Sequence, residues 1–343
     1  MKEIYVEDAV GEVLCHDITR IVAGVSKGPV FKKGHVITAE DVPVLLSVGK
    51  EHIFVWENID GMIHENDAAI RLSRLVKGEF MTESPVSEGK INLFAEIDGV
   101  FKVDSSVILA INSLGDLMIA TRHGNFPVKK GDFLAGMRAI PLMIDEKKLE
   151  EAETVAKSTS VHANVLRILP YKTKKVGIVA TGSEVLKGRI EDTFSPVLKT
   201  KLAEFPCEIL SVEYSGDDVD VIKAKIAAFL KQGADLVICT GGMSVDPDDR
   251  TPGAIRSVAK NVVAYGAPVL PGAMFMLAYT DENKAVMGIP GCAMYEKRTI
   301  LDIVLPRIFA DDTITAAELA ALGEGGICLH CQQCIFPNCG FGK

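Results

Sequence analysis

Between Lys174 and Asp311, short apolar runs alternate with stretches of helical period, and several of the runs end in glycine and hydroxyl residues. The runs are residues 176–180, 209–212, 236–239 and 285–289. Strands that stay apolar along their length are buried on both faces, as in a parallel sheet covered by helices. The segments between them supply those helices. Val219, Ile222, Ile226, Phe229 and Leu230 recur at helical spacing, and Gly233 follows as a stop. Ser195-Pro196 has the composition of a helix start, serine as cap and proline in the first turn. A further helix is expected over residues 294–305, after Pro290-Gly291. Strand and helix in alternation predict an α/β fold, a three-layer and mostly parallel sheet.

The N-terminal side reads differently. Residues 42–48 suit a short helix after Asp41, and residues 53–56 suit a strand that ends in the only tryptophan, Trp56, read as core. A helix is expected over 63–77, with Ile70, Leu72 and Leu75 as its apolar contacts. From Gly89 to Ile144 the runs 91–97, 107–111 and 117–121 are separated by Gly, Asp and Asn, which predicts a small β-rich region. Residues 145–156 are charged and helix-prone, a helix or a connector. The expected organisation is therefore an α+β segment over 1–60 and a helix with a β-rich domain and connector over 61–170. The α/β domain follows over 171–312, and a cysteine-rich tail over 313–343. A short Ala/Leu helix at 316–322 opens the tail, and the glycines of 323–326 release it.

With 343 residues, 48% of them hydrophobic, the chain can bury a sizeable core. Its net charge is −9 and no run of Lys or Arg stands out, which argues against a nucleic-acid surface. No apolar stretch is long enough to span a membrane, and no signal-peptide core follows the charged start. A soluble, cytoplasmic protein is the expectation.

Ligands of open parallel sheets gather at the carboxyl ends of the strands. Here those ends read Thr181-Gly182-Ser183-Glu184, Thr240-Gly241-Gly242-Met243-Ser244 and Pro290-Gly291. Glycine allows close backbone approach, and successive backbone N–H groups make an anion nest. Ser183, Thr240 and Ser244 could add hydroxyl donors to a phosphate. Acids lie nearby: Asp192, and Asp246, Asp248 and Asp249 ahead of Arg250-Thr251-Pro252. Carboxylates beside a phosphate repel it unless a cation lies between them, and magnesium suits oxygen donors and phosphates. Asp249 is the candidate ligand, Asp192 its companion in positioning the ion. The plainer reading is that Asp248 or Asp249 caps the helix near Pro252.

The ordered set of these loops, with Asp192-Thr193 and Pro271-Gly272 added, resembles the molybdopterin-binding domain shared by molybdopterin molybdenumtransferases and adenylyltransferases. The resemblance covers about 135 residues. It implies a pterin, molybdopterin or molybdenum cofactor, held through its terminal phosphate at these loops, with Pro271 and Gly272 among the contacts. It also implies ATP or molybdate as co-substrates and a homo-oligomer. Asp249-Arg250-Thr251-Pro252 looks like the adenylyltransferase version and Thr181-Gly182-Ser183-Glu184 like the molybdenumtransferase version. Phe194, Leu270, Ala273 and Cys292-Ala293 stand where molybdenumtransferases usually carry Asn, Lys, Lys and Asn-Pro. Pterin-phosphate recognition is thus implied more directly than molybdate insertion. A non-catalytic carrier or sensor is the alternative.

Cys328, Cys331, Cys334 and Cys339 follow C-x2-C-x2-C-x4-C spacing at the end of the chain. In a reducing compartment such clusters bind soft metals. The tight spacing favours an iron–sulfur cluster over zinc, which more often takes two separated pairs. A reduced, unligated tail is the bland alternative. With a metal, the tail could dock a redox or molybdoenzyme partner.

Overall fold

The structure, a computed structural model, describes residues 2–22, 26–55, 60–159 and 164–343. It divides into two units. The first comprises Met1–Glu96, Val103–Arg122 and Lys130–Arg167; the second comprises Ile97–Lys102, His123–Lys129 and Ile168–Lys343.

The first unit is built on antiparallel pairs. Its largest sheet orders Met81–Glu83, Lys90–Ala95, Phe133–Ala139 and Leu117–Thr121. Helix Glu65–Val76 packs on this sheet and buries Ala68, Ala69, Leu72 and Val76. It starts later than the apolar pattern predicts, because Met62–His64 pairs as a strand with Met143–Asp145. His64 then caps the helix, its Nδ1 accepting from the Asn66 amide at 3.1 Å. A second core gathers Leu14, Ile18, Ile37, Leu45, Ile53 and Val55 around helix Asp41–Ser47. Strand His52–Val55 pairs with Lys2–Tyr5; Trp56 lies outside the described residues.

Residues 107–111, read as one of the apolar runs of the β-rich region, belong instead to helix Ser105–Ser113. Asp104 accepts the Val107 amide, and the two buried residues, Val107 and Ile111, stand four apart while Leu109 faces solvent. A five-residue apolar run carries too little periodicity to separate the two outcomes.

The second unit holds the α/β sheet. Its elements are β1 (Lys174–Thr181), α1 (Ser183–Leu186), α2 (Phe194–Leu202), β2 (Cys207–Ser215), α3 (Val219–Lys231), β3 (Leu236–Thr240), α4 (Thr251–Val258), β4 (Asn261–Tyr265), β5 (Met276–Tyr279), β6 (Ala285–Ile289), α5 (Ile300–Phe309) and α6 (Ala316–Ala321). The strand order is β2-β1-β3-β6-β5-β4. The first four strands are parallel, and β5 and β4 add antiparallel. Neither β4 nor β5 is anticipated from the sequence pattern.

Successive strand residues feed opposite cores, the consequence of a two-residue side-chain period. Val176, Ile178, Leu236, Ile238, Met287 and Ile289 face α2 and α5. Val179, Val237, Cys239 and Val286 face α3 and α4. On that second face Gly177 makes room for Phe229, since a Cβ there would lie 2.4 Å from the ring. Burial of Cys239 pushes its thiol up to about 12, so it is an inert core group.

The helix expected over 294–305 appears as a 3-10 turn, Gly291–Met294, followed by α5. Every residue of α5 is buried, including Asp302 and Arg307. Asp302 is neutralised by Lys201 (2.7 Å) and Arg298 (2.8 Å), and Arg307 by Asp312 and Glu318. Asp302 also closes a capping box with Thr299.

The cysteine segment is not released from the domain. The Leu270 amide donates to Gly326 O and the Cys328 amide to Leu270 O, both at 2.8 Å. Phe341 is buried in the same core as α5.

Candidate ligand site at the carboxyl edge of the sheet

Strand β3 leaves the sheet through Gly241 and Gly242, at φ +80° and +54°. A Cβ on residue 241 would sit 2.3 Å from the Thr181 carbonyl oxygen, so the end of β1 and the loop after β3 approach this closely only with glycine at 241. Hydroxyls lock this junction. Thr181 Oγ1 donates to Thr240 O at 2.8 Å, and Thr251 Oγ1 donates to Gly241 O at 2.9 Å. The two hydroxyls lie 3.0 Å apart. Thr181, Thr240 and Thr251 are buried, and the hydroxyls of Thr181 and Thr251 are spent on this junction.

Past the glycines, the Met243 side chain turns down into the core. It sits over Gly288, where a Cβ would lie 2.4 Å from its Sδ and Cε. Tyr265 OH donates to Met243 O at 3.0 Å, with Ser244 O at 3.1 Å. Tyr265 lies on β4, one of the strands the sequence pattern does not reveal.

A cavity of about 420 Å³ opens at this edge. Gly241, Gly242, Met243 and Ser244 form one wall, Pro290, Gly291 and Cys292 another, and Ala273 and Met274 a third. Asp246 and Asp249 complete the rim. They belong to one turn: the Asp249 amide donates to Asp246 O at 2.9 Å, and the Asp246 amide to Asp249 Oδ2 at 3.3 Å. No Lys or Arg is among the wall residues. Cys292 is a neutral thiol, pushed up by burial and by nearby Glu296.

The remaining sequence candidates lie off this wall. The Gly182 amide donates to Ser215 O at 3.0 Å and the Ser183 amide to Asp217 Oδ2 at 3.1 Å, so the loop after β1 spends these donors within the protein. Glu184 and Asp248 are exposed. Gly272 is buried, and a Cβ there would lie 2.7 Å from Ile300, a packing reason for glycine. Pro271 precedes it in the same turn, half-buried.

Asp192 has a local task. Its Oδ1 accepts the amides of Phe194 (2.9 Å) and Ser195 (3.1 Å), and its Oδ2 accepts Tyr214 OH (3.1 Å). The carboxylate thus caps α2, the part sequence reading assigns to Ser195, which instead lies buried in the first turn. Burial works against its ionisation, but the hydrogen bonds from Ser195, Tyr214 and Phe194 outweigh it and hold the carboxyl below the usual range.

Cys328, Cys331, Cys334 and Cys339 line a different cavity, of about 620 Å³. Their thiols are not converged: among the described residues no three His, Cys, Asp or Glu side chains form a metal-holding group. Among the same residues no helix is long and apolar enough to cross a membrane.

Comparison with known proteins adds the following. Residues 177–310 match the family model described as a probable molybdopterin binding domain, and residues 3–57 match a domain of unknown function. A CinA-like protein of Mycolicibacterium gilvum is 39% identical over 77 residues, which is 22% of this chain and 18% of that protein. A CinA-like protein of Mycobacterium tuberculosis is 36% identical over 77 residues, with the same coverage of each chain. The chain thus spans under a fifth of the length of these relatives. Among solved structures, the molybdopterin biosynthesis enzyme MoaB of Thermus thermophilus is 24% identical, with a TM-score of 0.35, covering 39% of this chain and 91% of that one. The tungsten cofactor synthesizing protein MoaB of Pyrococcus furiosus is 18% identical, with a TM-score of 0.31, covering 41% and 89%.

Proposed function

We propose that this chain, whose residues 177–310 form a domain of the molybdopterin-binding family, binds molybdopterin or its nucleotide and serves molybdenum-cofactor biosynthesis. The observation that carries the proposal is the cavity at the carboxyl edge of the sheet, whose walls include the glycine turns Gly241-Gly242 and Pro290-Gly291. Main chain at positive φ presents its amides without a Cβ in the way, and such a nest suits a phosphate. The rim carboxylates of Asp246 and Asp249 would repel that phosphate. Magnesium resolves the conflict, since it is commonly held by one or two carboxylates together with substrate phosphates. Asp249 and Asp246 would hold the ion and Gly241 to Ser244 the phosphate. The magnesium supplies charge neutralisation when bound; the protein supplies positioning.

The same wall bears on whether the chain turns its ligand over. As an enzyme it would perform nucleotidyl transfer with ATP or insert molybdenum from molybdate. A wall without Lys or Arg favours the second reading, a carrier or sensor that holds the pterin without reaction.

The test starts with native mass spectrometry of the purified full chain, followed by titration with molybdopterin with and without magnesium. A retained or tightly bound pterin is expected. In Asp249→Asn, affinity should fall about tenfold, or about 1.4 kcal/mol, and only when magnesium is present. A chain that neither retains nor binds the pterin refutes the assignment. Adding ATP and molybdate to the complex then separates the readings: nucleotide consumption identifies an enzyme, stable binding without product a carrier.

A further inference from the structure

All four cysteines of the C-terminal segment line one cavity, and all four are free thiols. The segment has neither helix nor strand beyond Ala321. It is nonetheless tied at both ends. The Gly342 amide donates to Gly325 O at 2.9 Å, and a Cβ on Gly325 would lie 2.1 Å from the Lys343 carbonyl oxygen. The backbone pairing of Leu270 with Gly326 and Cys328 holds its entry to the domain. Between these anchors residues 329–335 are exposed, irregular chain that carries two of the thiols, the kind of segment whose ordering energy metal binding commonly supplies.

A fixed cation lies in the same cavity. The Arg298 guanidinium stands 5.1 Å over the Phe336 ring and is held by buried Asp302 at 2.8 Å. A cation beside the cysteines compensates the negative charge of a thiolate-ligated centre.

We propose that this cavity holds an iron–sulfur cluster ligated by Cys328, Cys331, Cys334 and Cys339. The spacing separates this from zinc, which more often takes two separated pairs; three thiols at three-residue intervals match cluster ligation. Convergence of the thiols needs side-chain rotation. Cys331 and Cys334 are exposed on irregular chain, where another staggered rotamer is accessible without disturbing a helix or strand. The proposal is independent of the pterin reading, because it uses none of the residues at the sheet edge.

The full chain, purified without oxygen, is analysed for iron, acid-labile sulfide and zinc, then treated with an iron salt and sulfide under thiol. Iron and sulfide in equal amounts are expected, with a broad visible absorption that bleaches on reduction. Cys331→Ser and Cys334→Ser, at exposed positions, should lose nearly all of both elements while keeping the far-ultraviolet circular dichroism of the metal-free parent. His330 also lines the cavity but is not among the proposed ligands, so His330→Ala should keep them. Zinc bound without sulfide, or iron and sulfide unchanged in both serine variants, overturns the proposal.

Discussion

The cavity at the carboxyl edge of the sheet has the turns of Gly241-Gly242 and Pro290-Gly291 among its walls, whereas the cavity of the C-terminal segment has four cysteines and Arg298 among its walls. The first wall is held by the register of β3 and β6, which pair directly, and by the threonine hydroxyls beneath it. The second hangs on irregular chain and becomes a ligand set only when its side chains turn. Backbone sites are paid for during folding; thiol sites are completed on binding.

The largest expected effect distinguishes the supports of the two cavities. Asp302 neutralises both Lys201 and Arg298 from a buried position, so Asp302→Ala leaves two cations uncompensated and removes a capping box. Urea unfolding should show a loss of about 3–5 kcal/mol. Arg298 lines the tail cavity, so its release should lower iron and sulfide uptake there, with ligand binding at the sheet edge retained in the folded fraction. Unchanged uptake would break the link drawn between Asp302 and the tail cavity.

Gly241→Ala sharpens the comparison from the other side. The new Cβ meets the Thr181 carbonyl at a forbidden distance and holds φ at +80°. A loss of about 1–3 kcal/mol is expected in thermal or urea melts, together with loss of binding at the sheet edge and no change in the tail thiols. Binding at parental affinity would show that this turn is not the phosphate wall.

The smallest effect concerns Asp192. Asp192→Ala should cost about 0.5–2 kcal/mol at neutral pH, the value of a helix cap. Its folded carboxyl lies below the ordinary range, so its stabilisation is complete above that range and disappears as pH falls through the folded value. Urea midpoints of parent and variant should therefore converge on acidification. If the variant instead loses magnesium-dependent binding at full stability, Asp192 belongs to the site after all.

Much of this was readable in advance where one residue type carries one physical constraint. The apolar runs of β1, β3 and β6 predict strands buried on both faces, and the glycines after β3 predict a tight backbone turn there. Strands β4 and β5 escaped, since their antiparallel addition depends on which edge of the sheet remains open. Tyr265, which supports the cavity wall, escaped with them. The roles of Thr181 and Thr251 were hidden as well, because their contact joins residues seventy positions apart.

By itself the amino-acid order determined the α/β alternation, the glycine turns at the strand ends and the cysteine spacing, all of which follow from periodicity and local backbone freedom. Only the tertiary structure decided which polar groups face a cavity and which are consumed as scaffold. Asp249 lines the rim while Asp192 caps a helix, and Ser244 lines the wall while Thr240 is buried. A carboxylate or hydroxyl carries the same hydrogen-bonding capacity in any sequence context. Its partners are fixed by chain segments that fold against it from a distance, and until those are in place its role is undetermined.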